Sequence, residues 1–510
     1  MYIEPNTTIR ILRNVPLDGS YKHTIYFGNA NEQEAYFTSF RKGSDLTKQT
    51  FQRVSKGKCR VNVKYENLYD CNYMMFRNDS FTTKWFYAFI KKVEYVNPTV
   101  SEIEYEIDVM QTWFFEYALT MQECFVEREH SATDEIGDNL VAEPVDVGDI
   151  ICGSMGSTSY FNSYVAVIAS AYNDDDETVK GGYIGGLFTG LDYLAGAIDN
   201  EEQVQLLLDY LKIVNKANDA DSVVSIWVMP STFYTTEATP VVKVSKVAKP
   251  TKLGSYTPRN KKLLTYPYCY LGVDCGNNSA VYRYEYFKTT GDTDNCNFML
   301  TSCITPNAEI ALVPMDYNGS EMNYVEQLVM TGFPQVGWST DAYKAWLAQE
   351  ASATRMGIVS SAGIGAMSAI GGNPIGVMGG VIGVANGINE YVMASNRPAQ
   401  ARGSVGGSVS VSSRSKNYYF KFMRINSHYA KILDDFFDMY GYAVNRVKKP
   451  NINVRPFWNY VKTSNFDFYG SVPTDDKEVI CANFNNGITF WKDSASERHI
   501  GKYSELDNSI

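Results

Sequence analysis

Between Arg355 and Glu390 the chain runs for 34 residues without a charged side chain, and ten of them are glycine. Seventeen others are Ala, Val, Ile or Met, and none is aromatic. Such a stretch can leave water without stranding a charge, while its glycines deny it the regularity of a rigid core element. The turn signal Gly371-Gly372-Asn373-Pro374 divides it into two arms, Met356–Ile370 and Ile375–Asn389. At ~1.5 Å per residue an arm reaches ~22 Å, short of a ~30 Å hydrocarbon core. A lone helical span is therefore a poor reading, and a two-armed hairpin present in several copies is a better one. Gly372, Gly376 and Gly380 recur every four residues, as do Gly379, Gly383 and Gly387. That spacing lets helix backbones approach closely in lipid.

The side chains expected to meet lipid are Met356, Ile358, Val359, Ile364, Met367, Ile370, Ile375, Val377, Met378, Val381, Ile382, Val384 and Ile388. Packing and hinge positions are Gly363, Gly365, Gly371, Gly372, Pro374, Gly376, Gly380, Gly383 and Gly387. A glycine-rich loop packed inside an oligomer, never touching lipid, is the plainer alternative. A phosphate loop is a second, very weak alternative: Gly363-Ile-Gly365 continues to Ser368 where a third glycine belongs, and no Gly-Lys-Ser/Thr follows.

The rest of the chain has an ordinary globular composition. Its 510 residues exceed what one core organises, so two to four domains are expected. The 37 tyrosines, the β-branched residues and 38 glycines favour a strand-rich fold with many turns. A net charge of −11 makes the whole chain a poor phosphate binder. Nine cysteines at wide spacings and four histidines form no zinc pattern, so neither metal nor cofactor is expected. The N-terminal residues lack a basic region followed by an apolar run, and no signal peptide is expected.

Along the chain, Trp85–Val96 is an aromatic and β-branched run that ends at Asn97-Pro98. A strict alternation follows, with Ile103, Tyr105, Ile107 and Val109 on one face and Glu102, Glu104, Glu106 and Asp108 on the other. The two runs predict a hairpin. The carboxylate row reads as a solvated outer face, with an acidic channel lining as the sharper alternative. Residues 160–235 predict a small α+β insert: strands at Tyr164–Ala169, Tyr183–Leu187 and Val223–Val228, and an amphipathic helix from about Glu201 to Asn218. Asp341–Ala353 is a helix candidate leading into the uncharged stretch, and Arg402–Arg414 a Gly/Ser/Val tract. Ser427–Tyr440 predicts a helix that buries Ile432, Leu433, Phe436 and Phe437 and stops at Gly441.

No catalytic constellation is visible. His130 between Glu129 and Ser131 forms no triad by adjacency, since neighbours on extended chain face opposite sides. Asp434, Asp435 and Asp438 read as a solvated helix face.

Particular strings nonetheless match a known family. Val126–Gly148, reading VEREHSATDEIGDNLVAEPVDVG, and Asp108–Trp113 resemble segments of the tail knob, or distal tail tube, proteins of small short-tailed phages of the phi-29-like type. Phe333–Val336 and Ala342–Gln349 are similar to that family's lead-in to a long loop. Asp434–Asn445 and Asn451–Lys462, with Arg455 and Asn459-Tyr460, are similar to the segment after it. The matched strings run in order from the first quarter to near the C-terminus, with none in 160–320.

The resemblance implies a mainly β fold with an α+β insert: tube-forming barrel or sandwich domains in a hexameric knob, with a long hydrophobic loop inserted. The expected division is a β-rich tube domain at 1–160, an α+β insert at 161–240 and a second β-rich region at 241–340. A helix and membrane-active loop at 341–415 and a C-terminal α+β part completing the tube domain at 416–510 follow. It further implies a non-enzymatic virion tail protein, made in the host cytoplasm. Its partners would be other copies of itself, proximal tail or connector proteins and the host cytoplasmic membrane, with genomic DNA passing without specific binding. By resemblance Met356–Asn389 is the loop that closes the tube and perforates the membrane, and Glu102, Glu104, Glu106 and Asp108 line the lumen. The alternatives are a pore-forming, toxin-like protein without a DNA conduit and a cell-wall-degrading tail enzyme.

Overall fold

The computed structural model describes residues 6–49, 57–80, 82–171, 182–216, 222–287, 294–303, 308–337, 403–404, 411, 416–492 and 499–510. The chain divides into two compact units. Unit 1 gathers Met1–Gly148, the short segment Tyr256–Leu263 and Ser427–Ile510; unit 2 takes Asp149–Ser255 and Leu264–Asn426.

In unit 1 a six-stranded antiparallel sheet runs in the order Leu46–Gln49, Thr7–Arg13, Cys71–Asn78, Thr82–Asn97, Val100–Ile107, Lys58–Val61. The predicted hairpin is its centre. Ile90 faces Tyr105, Val93 faces Ile103, and the Asn97 side chain closes the turn by accepting from the amides of Thr99 (2.9 Å) and Val100 (2.8 Å). Alternation gives this sheet two apolar faces. Ile9, Ile11, Cys59, Met74, Ala88 and Ile103 pack on one, and Tyr73, Met75, Tyr87 and Phe89 join a large aromatic core on the other. Phe37 stacks on Tyr73 at 5.3 Å, and Phe466 on Phe484 at 3.8 Å. Such ring pairs add about 0.5–1.5 kcal/mol each beyond the area they bury.

The second sheet of unit 1 shows how the C-terminal residues complete this unit. Its order is His23–Ile25, Ile488–Trp491, Trp458–Ser464, Cys124–Glu129, Tyr442–Lys448, with the first pair parallel. The helix Ala30–Thr38 was not anticipated from the alternating first third. Asn29 caps it by accepting from the Glu32 amide (3.0 Å), while the Glu32 carboxylate accepts from the Gly28 amide (3.1 Å). Only Gln33 and Phe37 of this helix are buried, so it offers no apolar stripe to read.

Unit 2 holds three larger sheets. One, ordered Ser279–Tyr282, Cys269–Asp274, Tyr419–Ile425, Ile150–Ser157, is antiparallel throughout. A second contains Val242–Ala248, Asn295–Cys303, Glu309–Tyr317 and Ser320–Met322, with Leu328–Met330 paired to Glu309–Tyr317. The third is the α+β part: Asp192–Ala197, Tyr164–Ser170, Val223–Pro230, Gln335–Gly337, Gly403–Ser404. The helix Glu201–Lys216 has Val204, Leu207, Leu208, Leu211 and Val214 buried, as its 3.6-residue spacing requires.

The helix Ser427–Tyr440 forms with the predicted limits, but its buried face differs from the expected one. Ile432 is 51% exposed, while Asp434 and Asp438 are buried. The face is rotated because polar partners from elsewhere in unit 1 cover the aspartates.

Candidate functional site: the root of the uncharged insertion and the acidic ribbon

Gln335–Gly337 pairs on one side with Val223–Pro230, placing Ser225 opposite Gly337 and Ile226 opposite Val336. On its other side it pairs with Gly403–Ser404, placing Gln335 opposite Ser404 and Val336 opposite Gly403. Gly337 and Gly403 thus stand on adjacent antiparallel strands of one sheet. Adjacent strands lie ~4.8 Å apart, so the two strands that flank the 338–402 excursion in sequence are neighbours in the sheet. Met356–Asn389, with every lipid-facing and hinge position named above, lies outside the described residues, as do Asp341–Ala353 and most of Arg402–Arg414.

Both flanks of the excursion are bonded into unit 2. Before it, the Val228 amide donates to the Pro334 carbonyl (2.8 Å). After it, the Lys416 ammonium donates to the Thr331 carbonyl and lies 4.5 Å over the Phe333 ring. Burial pushes Lys416 down to about 8. Tyr164 donates its hydroxyl to the Lys416 carbonyl (3.2 Å), and Tyr418 donates to the Leu328 carbonyl (2.9 Å). Asn417 and Thr158 bond each other twice. One cation and several buried polar contacts therefore join the lead-in to the lead-out.

The acidic ribbon is not a bare row of carboxylates. Lys58–Val61 is the edge strand beside it, and it brings Arg60 Nε to 2.9 Å from Glu102, with Lys58 3.5 Å from Glu104. From the hairpin's other strand, Lys91 reaches Glu106 (2.7 Å) and Lys92 reaches Glu94 (2.5 Å). Glu102 is buried, Glu104 half-buried, and Glu106 exposed. Asp108 does not belong to the row, correcting the expectation that it lines a lumen. It is buried, accepts from the Gln111 amide (3.0 Å) as a helix cap, and accepts from the Tyr73 hydroxyl (2.8 Å). Burial pushes its carboxyl up to about 6.

Sequence reading also missed a buried polar network in unit 1, built on the most family-specific strings. Asp434 accepts from the Tyr256 hydroxyl (2.6 Å), the Arg259 amide (2.8 Å), the Asn260 amide (2.9 Å) and the Asn260 side chain (2.7 Å). Its partners stand 174–178 residues away in sequence, which is why a solvated face was the natural expectation. Glu143, fully enclosed, receives Arg128, Lys262 (2.6 Å) and the Ala443 amide (2.8 Å). His130 spends both ring nitrogens: Nδ1 accepts from the Tyr460 amide (2.7 Å) and Nε2 donates to the Asp438 carbonyl (3.0 Å). Burial, with Arg455 nearby, pushes it down to about 3. A neutral imidazole with both nitrogens engaged holds structure and offers no base.

Residues 234–509, over half of the chain, match the model for the C-terminal domain of the tail knob protein gp9 of Bacillus phage phi29. Residues 5–118 match a model for the N-terminus of the caudoviral major tail protein. The tail knob protein gp9 of Bacillus phage PZA is 26% identical, across 99% of this chain and 98% of its own. Its counterpart in Bacillus phage B103 is 25% identical over the same shares. The solved tail knob protein gp12 of bacteriophage C1 shares the fold, with a TM-score of 0.65 at 16% identity, covering 96% of this chain and 97% of that one.

Proposed function

Because the chain belongs to the phi29-type tail knob family, whose members are components of the virion tail, we propose that it is a non-enzymatic subunit of a homohexameric tube. The tube conducts the genome, is joined to other tail proteins, and is closed by six copies of the 338–402 excursion. During delivery the segment Met356–Asn389 leaves its protein neighbours and perforates the host cytoplasmic membrane. The observation that carries this reading is an uncharged, glycine-studded insertion rooted on two adjacent strands. Such a root lets the excursion change surroundings without unravelling the sheet that holds it. Apolar surface sheltered by neighbouring copies loses little when lipid takes their place.

Deleting Met356–Asn389 tests the assignment. The truncated chain should still assemble but no longer release dye from liposomes. Undiminished leakage from an assembled deletion variant would remove the segment from the mechanism.

We further propose that Glu104 and Glu106 face the conduit as part of a mixed-charge ribbon with Glu94, Lys58, Arg60, Lys91 and Lys92, while Glu102 lies buried against Arg60. Near-balanced charge gives DNA nothing to grip. Replacing Glu104 and Glu106 by Lys frees the lysines opposite and should slow genome ejection. Unaltered ejection kinetics would place the ribbon away from the DNA.

A further inference from the structure

The antiparallel sheet of unit 2 ordered Ser279–Tyr282, Cys269–Asp274, Tyr419–Ile425, Ile150–Ser157 has two outer strands, and neither meets a further strand among the described residues. Ile150–Ser157 reads IICGSMGS and Ser279–Tyr282 reads SAVY, so neither edge carries a charge or a proline. Edge strands ordinarily hold such guards against pairing with another chain. Other outer strands here have them: Lys58 and Arg60 on Lys58–Val61, Lys243 and Lys246 on Val242–Ala248, Arg446 and Lys448 on Tyr442–Lys448. Along the unguarded edge Cys152, Gly153, Ser154, Met155 and Ser157 are exposed, and a Cβ built on Gly156 would meet nothing within 4 Å.

The ladder fixes which backbone groups are free. The Thr158 amide donates to the Tyr418 carbonyl (3.3 Å), next to the pair Ser157–Tyr419. Successive residues of a strand turn their N–H and C=O to opposite sides. Ser154 and Gly156 therefore face the neighbouring strand, while Met155 and Ser157 present their backbone groups to the open edge. A bulge ends the regular stretch, because Ser154 lies opposite Phe422 and Cys152 opposite Met423, leaving Gly153 over. What remains, Ser154–Ser157, matches the four residues of Ser279–Tyr282 in length.

The two edges also fit each other. Three antiparallel pairings in succession make the outer strands run antiparallel to one another, so the edge of one copy meets the opposite edge of the next in the sheet's own alternation. Met155 and Val281, 61% and 53% exposed, close the two ends of one cross-strand row through Gly272 and Lys421. Joined edges would let these two apolar side chains cover each other. Charge is complementary as well. Exposed Asp149 precedes one edge, and Arg283, which lies over the Tyr266 ring (4.1 Å), follows the other. Neither makes an ion pair with a described residue, and antiparallel pairing sets both at the same end of the joint.

We propose that Ser154–Ser157 of one copy pairs antiparallel with Ser279–Tyr282 of the next, joining the unit 2 sheets of neighbouring copies edge to edge. The joint is heterologous, since each copy offers a different edge to each neighbour. This rests on the homo-oligomeric reading above and names the strands that would carry it.

The test is the mass of the full chain's assembly in solution, with two kinds of variant. Met155→Pro removes one outward amide and no bond of the subunit's own ladder, a position where an edge strand tolerates proline. It should keep the circular dichroism of the wild type yet stay monomeric at concentrations where the wild type assembles. Should it not fold, the second arm stands alone. Met155→Cys with Val281→Cys, in a background where exposed Cys152 is Ser, should give a covalent ladder on oxidation, read on a denaturing gel. Either cysteine alone should give none. A covalent dimer from Met155→Cys alone would mean a two-fold joint between like edges and overturns the proposal. So does an assembly that survives Met155→Pro and does not cross-link, which would leave the edge to a different tail protein. A wild type that is monomeric at every concentration instead overturns the homo-oligomeric reading itself, and this joint with it.

Discussion

Within unit 1 the imidazole of His130 and the carboxyl of Asp438 are both buried, and burial moves them in opposite directions. His130 falls from 6.5 to about 3. Its contribution is present above pH 6.5 and lost as pH falls through about 3, because the unfolded chain takes the proton first. Asp438 rises from 3.8 to about 7, through desolvation opposed by Arg259 and reinforced by Asp434 and Asp507. Its contribution is present below pH 3.8 and lost as pH rises through about 7. Over the shared window the two slopes, each ~1.4 kcal/mol per pH unit, offset one another. Asp438→Asn should therefore make the urea midpoint fall steeply as pH drops through that window. His130→Gln should reverse the slope. Parallel midpoint-versus-pH curves for wild type and Asp438→Asn would contradict this assignment.

The elements with a strong internal period were legible in the sequence. The helices Glu201–Lys216 and Ser427–Tyr440 announce themselves by apolar spacing, and the Asn97-Pro98 turn fixes the central hairpin. What escaped depends on partners distant in sequence. Glu102 looked free because Arg60 is brought beside it only by sheet pairing, and Asp434 because its donors arrive from Tyr256–Asn260. The root strands Gln335–Gly337 and Gly403–Ser404 are too short to show any period.

Gly441 is the element-scale case where a sequence rule carries a structural necessity. It stops the Ser427–Tyr440 helix at φ +63, its amide donating to the Phe437 carbonyl (2.8 Å). A Cβ there would lie 2.2 Å from the Glu129 carbonyl oxygen, in the neighbouring strand. Left-handed strain and that backbone clash together predict a loss on the order of 2–4 kcal/mol for Gly441→Ala. Equilibrium unfolding measures it, and a loss below about 0.5 kcal/mol would mean the strand can yield.

At the scale of the whole molecule, this chain joins two β-rich units with ordinary charged surfaces to one long segment that carries none. A net charge of −11 makes the chain as a whole a poor phosphate binder, and under the proposed function the uncharged segment exchanges protein neighbours for lipid. The most direct measurement places an environment-sensitive probe at Ile375, introduced as Ile375→Cys in a background where exposed Cys152 is Ser. On addition of liposomes its emission should shift to the blue and become quenchable by nitroxides carried on lipid tails. Emission that stays unshifted and quenchable only from the aqueous phase, while the liposomes leak, would contradict the account.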